Sequence, residues 1–208
     1  MCGRYYADRE FIPRLATLFE EEEIVTDEGF SFDGGHGAGS AAGGIHDICP
    51  DDNAVIIMSG DGKLKAARMK WGFRDDFHNS MVINARAETA DSKPMFSESL
   101  KERRCLIPAS GFYEWNASKT KYRFTGGGLM FLAGIYRQEN GEDHYTILTT
   151  DANDSMRPVH NRMPVMIDRS EIRAWLTDGE MTKPLLERTQ KELEKTSCSG
   201  QIELELPV

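Results

Sequence analysis

The sequence predicts an α+β fold in a single domain that spans residues 1–208. A length of 208 residues suits one domain with its own hydrophobic core. Short segments that are typical of strands are numerous, and Gly, Asp and Asn separate them. Only a few short segments have helical periodicity, and they do not alternate with the strands in a regular βαβ rhythm. These three observations favour a sheet with small helices around it.

The first predicted element is a helix near the N-terminus, which Asp8 can cap. Pro13 falls near its start, where proline is well tolerated. The apolar positions with helical spacing are Phe11, Leu15, Leu18 and Phe19. A Gly-rich, acidic stretch follows at about 26–47, and its composition predicts a flexible surface loop.

Strand signals predominate from Ala54 onward. The segment AVIIM, the turn SGDGK and the segment LKAARMKWGF predict a first hairpin. Further strands are predicted at KYRF, LMFLAGIY, YTILTT, MPVMI and the terminal IELEL. Short helices are predicted at 94–102, 169–177 and 182–195. Their predicted caps are Ser92, then Asp168 or Ser170, and Thr182.

The charge of the chain is unevenly distributed. The net charge of −9 predicts weak non-specific affinity for duplex DNA. Residues 20–52 hold ten acidic groups and no Lys or Arg, whereas the rest of the chain carries 25 basic against 24 acidic residues. A local basic groove for nucleic acid is therefore compatible with the composition.

Cysteine and histidine spacing gives no sign of a metal or of a disulfide framework. The four cysteines are scattered without a CxxC pair, and the histidines show no HExxH spacing. We therefore expect a protein that uses no metal and no cofactor. We also expect it to reside in a reducing compartment. No apolar run approaches the roughly 20 residues of a membrane span, and the N-terminus has no export signal. The expectation is a cytoplasmic protein with no membrane partner.

Polar groups at unusual places form four clusters. Cys2 comes directly behind the initiator methionine, within MCGR. In INARAET, Asn84 and Arg86 alternate with apolar residues, so an extended backbone puts both on one face. In PASGFYEW, Glu114 stands between aromatic residues, where it is suited to acid–base chemistry. In VHNRMPVMI, His160 precedes a predicted strand.

Five motifs in fixed order resemble the SOS response-associated peptidase (SRAP) family, whose members form a covalent link to abasic sites in single-stranded DNA. The motifs are MCGR, WGF, NARAET, PASGFYEW and HNRMP, and the resemblance runs from residue 1 to about 176. It implies a curved, barrel-like antiparallel sheet with short peripheral helices. It also implies a monomeric protein whose partner is single-stranded DNA containing abasic sites, which it shields in the SOS response.

The resemblance also implies roles for single residues. Cys2 corresponds to the nucleophile, with Asn84, Glu114 and His160 around it. The implied DNA-binding residues are Arg4, Arg86, Arg162, Thr149, Pro50 and Trp71, with Phe77 as the nearest aromatic side chain to separate bases.

The chemistry predicted for Cys2 can also be derived from its functional groups, independently of the family resemblance. Once Met1 is removed, the residue carries an α-amine with a pKa of about 7.7–8.0, so a useful fraction is neutral at pH 7. An abasic site is a masked aldehyde, and an amine attacks an aldehyde to form a Schiff base. The neighbouring thiol can then close a five-membered thiazolidine ring. We therefore predict a durable crosslink through Cys2.

Three alternatives compete with this prediction. Class II glutamine amidotransferases also begin with MCG, and there the Cys2 thiol would attack a glutamine amide. A non-catalytic single-stranded DNA binder would explain Arg86 and Trp115 but not Cys2. A self-processing cysteine peptidase would release Met1 itself, whereas an ordinary methionine aminopeptidase would give the same mature chain.

Overall fold

A computed structural model describes residues 2–26, 30, 44–75 and 77–198. The helices are α1 Phe11–Glu21, α2 Ala87–Ala90, α3 Pro94–Glu102, α4 Ile172–Thr177 and α5 Thr182–Glu187, with a 3₁₀ turn at Arg169–Glu171. The strands are β1 Tyr5–Ala7, β2 Val25–Thr26, β3 His46–Ile48, β4 Asn53–Gly60, β5 Lys63–Trp71, β6 Phe73–Asp75, β7 Ser80–Val82, β8 Asn84–Arg86, β9 Arg104–Ala109, β10 Gly111–Trp115, β11 Lys121–Thr125, β12 Met130–Glu139, β13 Glu142–Asp151, β14 Arg162–Pro164 and β15 Glu194–Ser197.

The central feature is a closed barrel of five strands. Strands β13, β12, β9, β4 and β5 are hydrogen-bonded in that order, and β5 returns to pair with β13. The first four pairings are antiparallel, whereas the closing pair is parallel, with His144 opposite Lys70 and Tyr145 opposite Trp71. The α+β fold with a barrel-like sheet and short peripheral helices is confirmed, and the parallel closure makes the barrel a mixed one.

A second sheet packs beside the barrel and carries the N-terminus. Its strand order is β15-β11-β10-β1-β3, and every neighbouring pair is antiparallel. Within it Tyr5 lies opposite Phe112, so the residues before β1 run alongside the end of β10. This register brings the MCGR and PASGFYEW motifs together.

Gly111, in the PASGFYEW motif, is required by a close approach. A Cβ at this position would lie 2.3 Å from the carbonyl oxygen of Phe124 and 2.4 Å from the hydroxyl of Tyr6. No side chain fits at these distances, because real Cβ atoms essentially never approach other atoms so closely. The glycine therefore lets β10 sit tightly between β1 and β11.

Most predicted helices are confirmed, but not all of their caps. Helix α3 covers the predicted 94–102, and the predicted 169–177 is a 3₁₀ turn followed by α4, with a capping box between Asp168 and Glu171. Helix α1 begins after Glu10 rather than Asp8, whose carboxylate instead accepts a hydrogen bond from the backbone N–H of Glu10. Lys93 and Met181 occupy the N-cap positions predicted for Ser92 and Thr182.

The predicted helix 182–195 is wrong beyond Glu187. The chain leaves the helix there and forms β15, which extends the second sheet by pairing with β11. The predicted strand MPVMI is shortened to β14, followed by an isolated bridge at Met166. The terminal IELEL and most of the predicted loop at 26–47 lie outside the described residues.

Candidate functional site

Cys2 and Asn84, which are 82 positions apart, meet directly. Strand β8 runs parallel to β13, with Asn84 opposite Ile147. From there the Nδ2 atom of Asn84 donates a hydrogen bond to the carbonyl oxygen of Cys2 at 2.9 Å. The Cys2 side chain is only 2% exposed. The amide thus fixes the backbone of the predicted nucleophile in a buried position.

Glu114 lies close enough to Cys2 to influence its titration. It belongs to β10 and is buried, and one of its carboxylate oxygens accepts a hydrogen bond from the backbone N–H of Trp115 at 3.3 Å. Burial, reinforced by the charge of Glu114, raises the pKa of the Cys2 thiol to about 12. The thiol therefore keeps its proton at neutral pH and needs a base in order to react.

His160 is held by the strand that follows it. Its Nδ1 atom accepts a hydrogen bond from the backbone N–H of Arg162 at 3.0 Å. A neutral ring in this arrangement carries its proton on Nε2. Strand β13 pairs with β14 along one edge and with β8 along another part of its length. Its residue Thr149 lies opposite both Pro164 of β14 and Arg86 of β8. One strand therefore connects the segments of His160 and Asn84.

Arg162 is engaged by protein groups rather than open to solvent. Its guanidinium forms a bidentate pair with Glu88 at 2.8 Å and a second pair with Asp151 at 2.6 Å. It also donates to the carbonyl oxygen of Thr149 at 2.6 Å. A phosphate at this guanidinium would have to displace two carboxylates, and the predicted contact of Arg162 with DNA stays a prediction. Glu88, whose pKa this pair lowers, was missed from the sequence although it belongs to the NARAET motif.

Two other predicted DNA contacts are core residues. Trp71 is completely buried, and its Nε1 atom donates to the carbonyl oxygen of Ile83 at 3.0 Å. Thr149 is also fully buried, and its hydroxyl donates to the carbonyl oxygen of Ala85. Neither side chain reaches the surface in this structure, and their contact with DNA stays a prediction. Both residues instead support β8 and the segment before it.

The remaining predicted DNA-binding residues are accessible. Arg86 is exposed, and Arg4 and Pro50 are partly exposed. Phe77, between β6 and β7, is 91% exposed, which is unusual for a phenylalanine. These four residues are thus at least partly accessible, and their contact with DNA stays a prediction.

The described residues offer no group of three or more His, Cys, Asp or Glu side chains that could hold a metal ion. In the same part of the chain, no helix is both long and apolar enough to cross a membrane.

Comparison with known proteins gives the family. The model of the SOS response associated peptidase (SRAP) family matches residues 1–203. The abasic site processing protein YoqW of Bacillus subtilis (strain 168) is 31% identical over 207 residues, which cover 90% of this chain and 87% of YoqW. The abasic site processing protein YoaM of the same organism is 33% identical over 147 residues, covering 63% of this chain and 65% of YoaM.

Solved structures agree with the fold. A crystal structure of a protein from Bordetella bronchiseptica matches with a TM-score of 0.71 at 21% identity, covering 94% of this chain and 99% of that one. The extent of the family match, together with the order of the motifs, leads to one conclusion: the chain belongs to the SRAP family.

Proposed function

We propose that this chain processes abasic sites in single-stranded DNA by forming a covalent link through Cys2 after Met1 has been removed. The observation that carries the proposal is the hydrogen bond from Asn84 to the Cys2 carbonyl, beside the buried carboxylate of Glu114. Relatives named abasic site processing proteins, such as YoqW, support the same substrate. Met1 itself lies outside the described residues.

The covalent chemistry proceeds in two bond-forming steps. The neutral α-amine of Cys2 attacks the aldehyde carbon of the ring-opened sugar, and loss of water leaves an imine. The thiol then adds to the imine carbon while its proton passes to the nitrogen. The product is a thiazolidine, which lacks the C=N bond through which a lysine Schiff base would promote strand cleavage.

Proton transfer gives each of the predicted polar groups a role. Because the thiol keeps its proton at neutral pH, ring closure requires a base beside it, and the Glu114 carboxylate is suited to carry that proton to nitrogen. His160, with its Nε2 proton, is suited to protonate the sugar oxygen when the cyclic hemiacetal opens. Asn84 orients the backbone that carries both reacting groups.

DNA binding is assigned to the accessible side chains. Arg4 and Arg86 contact backbone phosphates, because a guanidinium binds two phosphate oxygens at once. Phe77 separates or stacks on bases, as exposed aromatic rings do in single-stranded DNA binders. Arg162 acts from behind this surface, holding Glu88 and the backbone carbonyl of Thr149 in β13.

The decisive experiment compares four proteins on single-stranded DNA with one abasic site. Wild type and Cys49→Ala, which removes a partly exposed thiol outside the proposed mechanism, should both give a heat-stable shifted band. Cys2→Ala and a form with an N-terminal extension should give none, because one lacks the thiol and the other lacks the free amine. If either crosslinks as well as wild type, another residue is the nucleophile and the proposal is wrong.

Removal of Met1 is proposed to be a self-processing step, since Glu114 lies beside the thiol next to the Met1–Cys2 bond. The test is the intact mass of wild type and Glu114→Gln made by translation in a system without methionine aminopeptidase. Self-processing predicts loss of Met1 in wild type only. Retention of Met1 in both proteins assigns the cleavage to the aminopeptidase.

A further inference from the structure

The two faces of the second sheet differ in character. Along strand β10, Phe112 and Glu114 point to one face and Tyr113 and Trp115 to the other, where Tyr113 is buried and Trp115 is partly exposed. On that other face Lys121 lies opposite Trp115 and Arg123 lies opposite Tyr113. The face thus places cations beside aromatic rings, directly next to the strand end that approaches Cys2. Cations and aromatic rings together are typical of surfaces that bind single-stranded nucleic acid.

The cations of this face stack on its rings. The Nζ atom of Lys121 lies 3.6 Å from the centroid of the Tyr113 ring and 5.8 Å from that of Trp115. The guanidinium of Arg4 lies 5.9 Å from the Trp115 ring. Such contacts restrict where the charged groups can go, so both cations are preorganised around one point.

One carboxylate lies at that point. Asp47, in β3, is 3.4 Å from Nη1 of Arg4 and 3.8 Å from Nζ of Lys121. Burial raises the pKa of Tyr113 above its ordinary value, and the charge of Asp47 and its interaction with the tyrosine hydroxyl add to this effect. A single anionic group is therefore surrounded by two cations and a hydroxyl donor, which is the set of partners that suits a phosphodiester.

The weakness of these contacts shows that the carboxylate can be exchanged. The Asp47 pairs are long, and all three charged side chains are between 29% and 39% exposed. Exposed pairs of this kind contribute only about 0–1 kcal/mol. The pair of Arg162 with Glu88 is different, since it is bidentate and its guanidinium is buried. Incoming DNA can thus displace Asp47 far more readily than Glu88.

We propose that Arg4, Lys121 and the Tyr113 hydroxyl form a phosphate subsite for single-stranded DNA, which Asp47 occupies until DNA displaces it. The inference rests on the proposed function, which supplies DNA as the ligand, and it adds Lys121 and Asp47 to the residues that determine binding. Asp47 lowers the affinity for DNA, because its displacement leaves an uncompensated carboxylate beside the bound phosphate.

The test measures binding of a fluorescent, undamaged single-stranded oligonucleotide over a series of salt concentrations. Asp47→Asn should bind about 3- to 10-fold more tightly at low salt, and its plot of log K against log salt should steepen by about 0.7, the slope of one phosphate neutralised on single-stranded DNA. Lys121→Gln should weaken binding and flatten the slope by about the same amount, whereas Lys121→Arg should resemble wild type.

Two matched variants control for net charge. Asp143→Asn and Lys63→Gln make the same charge changes on hairpins of the barrel, away from this face, and should leave the affinity close to that of wild type. The cost of Lys121→Gln should also be larger in the Asp47→Asn background, because Asp47 no longer neutralises the lysine. Thermal unfolding of each variant checks that the fold is retained.

The outcomes separate this inference from the proposed function. If Asp47→Asn binds no more tightly than Asp143→Asn, or Lys121→Gln no more weakly than Lys63→Gln, the subsite is overturned. If wild type binds the oligonucleotide but forms no adduct with abasic DNA, the proposed function fails while the subsite stands. If wild type binds no single-stranded DNA, both are overturned.

Discussion

At the scale of single residues, burial of Cys2 links the stability of the protein to pH. Its thiol pKa is raised from 9.0 to about 12 in the folded state, so between those values only the unfolded chain releases the proton. The stabilising effect is complete below pH 9 and is lost as pH rises toward 12. Wild type should therefore lose about 1.4 kcal/mol relative to Cys2→Ala for each pH unit in this window.

Urea unfolding of both proteins at pH 7, 9 and 10 checks this prediction. Burial alone raises the pKa of the Cys105 thiol, so this group titrates alike in the two proteins, and the difference between them reports on Cys2. A difference that stays constant from pH 7 to pH 10 would show that the thiol is not shielded from water.

Asn84 gives a second prediction at this scale. Asn84→Ala removes the hydrogen bond to the Cys2 carbonyl and should slow crosslinking about 10- to 100-fold, since small displacements of a reacting group are costly. Affinity for undamaged single-stranded DNA should not change, and Asn53→Ala, at an exposed position of β4, should behave as wild type. Single-turnover crosslinking rates test this, and an unaltered rate in Asn84→Ala would remove the amide from the mechanism.

Motifs select candidate site residues but do not predict the environment of each side chain. Cys2 could be selected because it follows the initiator methionine, and Asn84 and Glu114 because each is a polar group next to apolar or aromatic residues. The burial of Trp71 and the ion pairs of Arg162 could not be predicted from the sequence, because both depend on partners from other segments of the chain. Sequence patterns give the residue type, whereas exposure is decided by the tertiary structure.

At the scale of elements, Gly111 sets the spacing between three strands. Gly111→Ala would place a methyl group 2.3 Å from the Phe124 carbonyl oxygen, and we expect a loss of about 1–3 kcal/mol in the free energy of unfolding. Gly128→Ala is the control, because its Cβ would meet nothing within 4 Å. Chemical denaturation measures both, and equal stability of the two variants would contradict the close approach.

Elements with local signals were predicted well, and those that depend on pairing were not. Helix α3 follows from Pro94 at its start and from an amphipathic pattern confined to nine residues. Strand β15 is exposed along its length, and it exists because β11 offers an unpaired edge to it. The sequence of residues 194–197 gives no sign that β11 has an unpaired edge. The helix predicted from residue 182 was therefore extended beyond its actual end.

At the scale of the whole molecule, closure of the barrel joins segments that are far apart in sequence. The fold class was predictable from many short strands and few helices. The parallel pairing of β5 with β13 could not be predicted, since the paired residues are more than 70 positions apart. The apolar character of each strand is also the same as that of its neighbours. The result is a core in which Trp71 stacks on Tyr145 and contacts Tyr5.

This core also joins the barrel to the second sheet through two hydroxyl groups. Tyr5 of β1 and Tyr145 of β13 share a buried hydrogen bond of 2.6 Å. Tyr5→Phe or Tyr145→Phe leaves the other hydroxyl without this partner and should cost about 1–3 kcal/mol, whereas the double variant should cost less than the two single losses combined. Tyr136→Phe, at a partly exposed position, should be close to neutral. Thermal or urea unfolding of the four variants measures the coupling, and strictly additive losses would mean that the two sheets are held together by packing alone.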